Sequence, residues 1–456
     1  MLAVLPFDNL TGDPTQEYFS DGLTEEMIAR LGNLSPDRLG IIARTSVMQF
    51  KDARKPLRDV ASELGVQYVL EGSVRRDASQ LRVAAQLIRI EDQTHVWSRQ
   101  YDRGPGDLLR VQAEIAEAIA REIQLTFAET VPAAPLTPDE YQAYNLYLQG
   151  RQALSERSPE GFRRAIALFE RAIAKRPRYA KAYAGLADCY ALTGTWGFEP
   201  PVAVIPKAKE AALTALEIDG TLAAPHTTLA LVHEFYDRDW PAAEARFRRA
   251  IELDPNYVTA HHWYAEHLGF RGRFDEALAE MERARQLDPL SLIVATDRGA
   301  ILYFAKRYDE AIDQFAAVLA RQPMLGRARL ILACYALRGR TEEALANIAE
   351  WRKLEHYPWQ PAWETYVYGR AGRRAEAERA FREIEPAIGE IFLDPTLLYA
   401  TAHLGLGEND RALTWLETAC RERANAIIGL KVDPIFDPLR SDPRFAELLR
   451  CAGFTP

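Results

Sequence analysis

The apolar positions of this 456-residue chain follow two different rhythms, and the change between them divides it. In the C-terminal two-thirds the pattern Ala-x3-Phe-x2-Ala-x4-Pro returns as Ala243, Phe247, Ala250, Pro255, then Ala277, Met281, Ala284, Pro289, then Ala311, Phe315, Val318, Pro323; each motif proline lies 34 residues after the last. A helical hairpin of that length cannot bury its apolar face alone, so neighbours must stack. The signature extends upstream through Ala165, Phe169, Ala172, Pro177 and Ala208, Ala212, Ala215, Gly220. Downstream it continues through Ala344, Ile348, Trp351, then Ala377, Phe381, Ile384, then Ala412, Leu416, Ala419, which predicts about eight hairpins. Leu-Asp-Pro at 253–255 and 287–289 ends a hairpin, because proline cannot enter the preceding helix.

Residues 1–130 change period several times, the mark of a mixed α/β unit. Ala3 to Phe7 reads as a strand, and Phe19, Leu23, Met27 and Leu31 fall at helical spacing, with Asp21-Gly22 as the helix start. Leu39 to Ala43 reads as a second strand and Leu57 to Leu64 as a short helix. Val66 to Val74, Leu81 to Ile90 and His95 to Tyr101 predict three consecutive antiparallel strands, with turns at 76–79 and 91–94. Leu108, Val111, Ile115, Ile119 and Ile123 lie on one face of a helix from Leu108 to Phe127. The proline-rich stretch 131–138 separates this unit, 1–130, from an all-α array at 139–429, and 430–456 is read as a capping segment.

Charge narrows the partners. The net charge is −9, shared between both parts, so neither offers the basic excess that phosphate neutralisation along a nucleic acid needs, and no direct nucleic-acid partner is expected. No stretch approaches the ~20 apolar residues of a membrane helix, and the start lacks a secretory pattern, so a cytoplasmic location is expected, or a periplasmic one if an upstream segment spans the membrane. Cys189, Cys334, Cys420 and Cys451 are far apart and form no C-x-x-C pair; small buried helix residues are expected for most of them.

A search for chemistry finds no constellation. There is no phosphate-binding loop, no zinc-helix histidine pair and no nucleophile elbow, so no catalytic residue, metal or cofactor is expected. The richest metal-ligand group is His261, His262, Glu266 and His267, with His226 and His233 one hairpin earlier. His226, His233 and His261 stand where other hairpins carry Tyr183, Tyr190 and Ala295, which makes them packing residues first. Asp21, Glu25 and Glu26 read as dipole partners and solvated surface at a helix start. Arg75, Arg76, Arg82, Arg89 and Arg99 alternate with acids and read as a solvated sheet face.

The fixed offsets of the repeat, recurring together, resemble the tetratricopeptide repeat family, which implies an all-α superhelical solenoid whose first helices face a concave groove. Ala3-Val-Leu-Pro-Phe-Asp-Asn-Leu10, Tyr18-Phe-Ser-Asp-Gly-Leu-Thr-Glu-Glu26, Ile42-Ala-Arg-Thr-Ser46, Leu64 to Arg75 and Val96 to Asp102 together resemble the TolB-like amino-terminal domain. That resemblance implies a non-catalytic domain of the kind that precedes tetratricopeptide repeats in CadC-type regulators, nucleotide cyclases and Ser/Thr kinases. None of those effector modules is present in the chain, so a module encoded upstream or separately is expected. Leu430 to Phe445 is similar to the segment that closes such arrays, with Asp442 capping a last helix that starts at Pro443.

Within the solenoid, Phe235, Phe270 and Phe304 each lie nine residues after His226, His261 and Ala295, at one height on successive first helices. They form a candidate partner-binding groove bordered by Tyr303, His262 and Glu266, because aromatic rings desolvate large area with few rotatable bonds. The expected function is non-enzymatic signalling or scaffolding through a protein or peptide partner. The alternative is the regulatory portion of a transcriptional regulator, cyclase or kinase, and a hydrolase with an unfamiliar site in the α/β unit is the remaining enzyme reading.

Overall fold

The computed structural model describes residues 1–36, 38–53, 55–76, 80–125, 134–354, 358–388 and 395–454. The chain opens with β1 (Leu2–Val4) and β2 (Asp8–Asn9), then α1 (Glu17–Leu34), α2 (Arg44–Val47) and α3 (Leu57–Leu64). β3 (Tyr68–Arg76), β4 (Leu81–Arg89) and β5 (Thr94–Arg103) form an antiparallel meander, and β1 and β2 both pair in parallel with β3. Along β4, Leu81, Val83, Ala85 and Leu87 alternate inward, as period-2 patterning requires. They meet α1 and α4 (Leu108–Glu122), whose Val111, Ile115 and Ile119 are buried.

Two expectations change here. Leu39 to Ala43 makes only a single bridge, Ile41 to Leu2, because the backbone then leaves the sheet: Ala43 N–H donates to the Leu287 carbonyl at 2.7 Å and α2 begins. Asp21 and Gly22 lie inside α1 and do not start it. Asp21 is held by Lys51 at 2.6 Å, and Gly22 lets Leu148 approach to a spacing that a Cβ could not share. The expected turn at 76–79 and Phe127 fall mainly outside the described residues.

Eight helical hairpins follow among the described residues: α5 (Pro138–Ser155) with α6 (Pro159–Lys175), α7 (Ala180–Thr195) with α8 (Pro201–Ile218), α9 (Ala223–Leu231) with α10 (Trp240–Leu253), α11 (Val258–Phe270) with α12 (Phe274–Leu287), α13 (Leu292–Phe304) with α14 (Tyr308–Arg321), α15 (Ile331–Leu337) with α16 (Thr341–Trp351), α17 (Gln360–Arg370) with α18 (Arg374–Arg382), and, after α19 (Ile384–Ile388), α20 (Pro395–Leu406) with α21 (Asn409–Arg421). α5 starts on a capping box, Thr137 with Glu140. Motif residues Ala243, Phe247, Ala277, Met281, Ala311 and Phe315 are fully buried. In the third hairpin α9 runs into a π-helical stretch, Val232–Asp237, before Arg238 turns left-handed. That stretch absorbs an extra residue within the first helix.

The array is not an open rod. Tyr144, Tyr147 and Leu148 of α5 belong to the same buried core as the sheet and α1. At the other end α22 (Pro443–Cys451), capped by Asp442, and the 3-10 stretch Pro434–Leu439 cover the last hairpin through buried Ile435, Phe436 and Leu439. Cys189 and Cys334 are the buried small residues expected, and burial pushes the Cys334 thiol up to about 12. Cys420 and Cys451 depart from that expectation: they form a disulfide joining the ends of α21 and α22.

Candidate partner-binding groove

The six groove residues separate into an aromatic end and a charged centre. Phe270 and Phe304 are the last residues of α11 and α13, one repeat apart, with ring centroids 5.8 Å from each other. Tyr303 lies 5.4 Å from Phe304, and Phe235 sits half-buried on the π-helical stretch. This end is covered by the chain's own C-terminal segment. Tyr303 is fully buried, and its hydroxyl donates to Asp433 at 2.5 Å. Val432, Phe436 and Phe454 share one core with Tyr303 and Phe304.

Polar contacts carry that segment along the turn ends of hairpins two to five. Asn425 donates to the Thr195 carbonyl at 2.5 Å and Arg238 to the Ala424 carbonyl at 2.9 Å. Trp240 Nε1 donates to the Ala452 carbonyl at 2.8 Å while its ring stacks on Phe454 at 4.6 Å. Lys306 pairs with Asp437 at 2.7 Å. Burial pushes the Asp433 carboxyl up to about 6, although the Tyr303 hydroxyl pulls it down.

The charged centre joins His262 and Glu266 to Asp297 and Arg327. His262 Nε2 is 2.7 Å from Asp297 and 3.8 Å from Glu266; Arg327 Nη1 is 2.5 Å from Glu266 and 2.9 Å from Asp297. Burial would raise Asp297, but Arg327 and His262 outweigh it and hold this carboxylate below its usual range. Burial likewise opposes the charged form of His262, and Asp297 overcomes it, so the imidazole is raised. One ligand atom from each of His262, Glu266 and Asp297 lies within 4.8 Å of the others, a spacing a cation could use. Arg327 already supplies a cation to both carboxylates.

The other histidines of that group do not converge on this point. His261 faces Glu280 at 2.6 Å, His267 faces Glu234 at 2.6 Å, His233 faces Asp237 at 3.0 Å, and His226 accepts from Arg246 at 3.1 Å. Each has a separate partner. Burial, reinforced by Arg246, drops His226 to about 4.

Sequence reasoning missed the second occupied part of the array. The acids assigned to solvated surface on α1 are interface residues: Glu26 pairs with Lys181 of α7 at 2.6 Å, and Glu25 pairs with Arg151 of α5 and with Arg44 at 3.6 Å. Burial alone would push Glu25 up, and the two guanidinium groups hold it below its usual value. Further along, Asn256 Nδ2 donates to the carbonyls of Gly32 and Leu39, and Ser46 Oγ donates to Asp288 at 2.5 Å. The acid spacing Asp21, Glu25, Glu26 was visible, but the array residues that pair with it, Arg151 and Lys181, lie over a hundred residues away.

Comparison with known proteins gives separate matches for the front of the chain and for parts of the helical array. Residues 1–118 match the family described as HilA/YgeH-like transcriptional regulator, second domain, and residues 151–197 and 231–291 match the tetratricopeptide repeat. "Putative adenylate cyclase 3" of Rhizobium meliloti is 38% identical over 235 residues, covering 50% of this chain and 39% of that protein. The transcriptional regulator HilA of Salmonella typhimurium is 23% identical over 315 residues, covering 68% of this chain and 55% of that protein. The matches thus span about half or less of these relatives. A solved human IFIT1 dimer with PPP-AAAA aligns at TM-score 0.47 and 15% identity, over 75% of this chain and 77% of that one. The front unit is therefore HilA-like in its second-domain match, and the helical array is built of tetratricopeptide repeats.

Proposed function

We propose that this chain is a non-enzymatic signalling unit that binds a partner protein or peptide along the first helices of its repeats. The observation that supports this most directly is that the same surface already binds polypeptide. α1 lies against α5 and α7 at one end, and residues 423–454 lie against the ends of α7, α11 and α13 at the other. Between them stands the charged centre, where the Arg327 side chain keeps 40% of its exposure. A partner engages Glu266, His262 and Arg327 first. It reaches Tyr303 and Phe304 by replacing the C-terminal segment, which buries them, while Phe235 and Phe270 stay partly exposed beside it.

In this reading the TolB-like domain, 1–130, and the array, 139–429, are joined by the linker 131–138 and closed by 430–456, and the protein works in the cytoplasm by shifting its partner between states. A photo-crosslinking residue placed at Phe270 or Glu266 of the intact chain, expressed in its own cell, should trap one discrete polypeptide. The same label at Leu213, exposed on α8, should trap none. Equal labelling at all three positions, or none at any, refutes the groove.

A second reading is favoured by the partial coverage of the matched relatives: the chain is the regulatory portion of a transcriptional regulator, cyclase or kinase. An in-frame effector module in the genomic sequence before Met1 would establish it, and a stop codon directly upstream would remove it.

A further inference from the structure

The sheet arginines do not behave alike. Arg82 pairs with Asp102 at 2.5 Å and Arg89 with Asp92 at 3.3 Å on the exposed sheet. Arg76, at the end of β3, turns toward the array and meets only neutral acceptors. Its Nε donates to Gln16 at 2.5 Å, Nη1 to Asn145 at 2.7 Å and Tyr141 at 3.0 Å, and Nη2 to the Tyr18 hydroxyl at 2.6 Å. The guanidinium carbon lies 4.1 Å from the centre of the Phe19 ring. Among the described residues no carboxylate lies within ion-pair distance of it, although Asp13 is near enough to feel its charge, so its plane is fixed and one Nη2 N–H remains to donate.

Arg76 opens on a cleft of about 920 Å3 between the sheet unit and the first hairpin. Arg171 and Lys175 of α6 line the far wall. Lys175 is 3.2 Å from Asp139, whereas Arg171 has no ion-pair partner among the described residues. Two arginines without an ion pair among the described residues, supplied by two different units, therefore face one cavity, which Asp139 also lines and whose size suits a small ligand. A single carboxylate is satisfied by one arginine fork, while a phosphate offers the three oxygens and greater charge that two forks can share.

We infer that this cleft binds a small phosphate-bearing ligand of nucleotide size. Arg76 and Arg171 hold the phosphate, and the amides of Gln142 and Gln149 with the Tyr18 and Tyr141 hydroxyls face the ligand's polar ring and sugar. Because one wall belongs to the sheet unit and the other to the array, the ligand bridges them and stabilises their docked arrangement by mass action. The site is independent of the partner groove, so the two stand or fall separately.

Isothermal titration of the intact chain with AMP, inorganic phosphate and citrate at low ionic strength tests this. AMP should bind once per chain, with phosphate and citrate each at least tenfold weaker. Arg171→Gln, an exposed helix position where glutamine is well tolerated, should weaken AMP at least tenfold, and Arg76→Gln should do the same. The inference is overturned if AMP gives no binding, if citrate or phosphate matches it, or if Arg171→Gln leaves its affinity unchanged.

Discussion

Asp288 offers a test in which burial is separated from every other effect by pH. The residue is 4% exposed at the junction of the two units, accepts from Ser46 at 2.5 Å, and belongs to the Leu-Asp-Pro that ends the fourth hairpin. Burial raises its carboxyl to about 6, with Ser46, His262 and Thr45 pulling it down less strongly. The folded value therefore lies above the unfolded one, the folded state binds the extra proton, and stability falls as pH rises between the two values. Fully developed above the folded value, the cost is about 3 kcal/mol, of which roughly 1.4 kcal/mol falls between about pH 5 and pH 8. Asp288→Asn keeps an oxygen acceptor for Ser46 and removes the charge. Any fixed cost of the buried amide is the same at both pH values. Urea unfolding of both proteins should thus show the variant gaining about 1.4 kcal/mol relative to the parent on going from about pH 5 to about pH 8. An offset independent of pH would refute the claim that Asp288 is a desolvated acid at this interface.

Two further outcomes follow from the closing half of the array. Gly405 meets α17 so closely that an added Cβ would lie 2.3 Å from the Tyr366 Cα, so Gly405→Ala must shift one helix and should cost about 1–3 kcal/mol in thermal or urea unfolding. Cys420 and Cys451 close a 31-residue separation, and reducing them should cost about 3 kcal/mol, with the loss of protection concentrated in residues 423–454 by hydrogen exchange. Unchanged stability in reductant would refute the staple.

The hairpins were legible because each is a local object. Ala277, Met281 and Ala284 announce a buried helix face through spacing alone, and the structure buries all three. The meander was legible for the same reason: β3, β4 and β5 alternate apolar and polar residues and are joined by short turns. What the sequence concealed is contact at a distance. Nothing in Asp21-Gly22-Leu23 shows that Leu148 requires the glycine, and nothing in Trp240 shows that its partner is the Ala452 carbonyl. Leu39 to Ala43 has strand composition, yet the hydrogen bond from Ala43 to Leu287 takes it out of the sheet. The groove aromatics show the same limit. Their common height is a property of pitch, whereas their burial depends on a segment more than a hundred residues later.

Those distant contacts change what kind of object the array is. In an open solenoid each hairpin touches only its neighbours, so stability is a sum along a line and the terminal repeats fray first. Here both ends are tied into the middle. The sheet unit reaches hairpins one, two and four through Glu25, Glu26 and Ser46, and the C-terminal segment reaches hairpins two to five through Asn425, Arg238, Lys431 and Tyr303. Hairpins six and seven lie between repeats that the C-terminal segment grips, two to five on one side and eight on the other, so displacing it would release constraint on them as well. The sheet unit and the C-terminal segment both hold hairpins two and four, so a ligand that changed how firmly one is seated would alter the energy of the other through those shared repeats. Such coupling would suit the proposed partner-binding role, in which occupancy at one end would change how firmly the tail is held at the other.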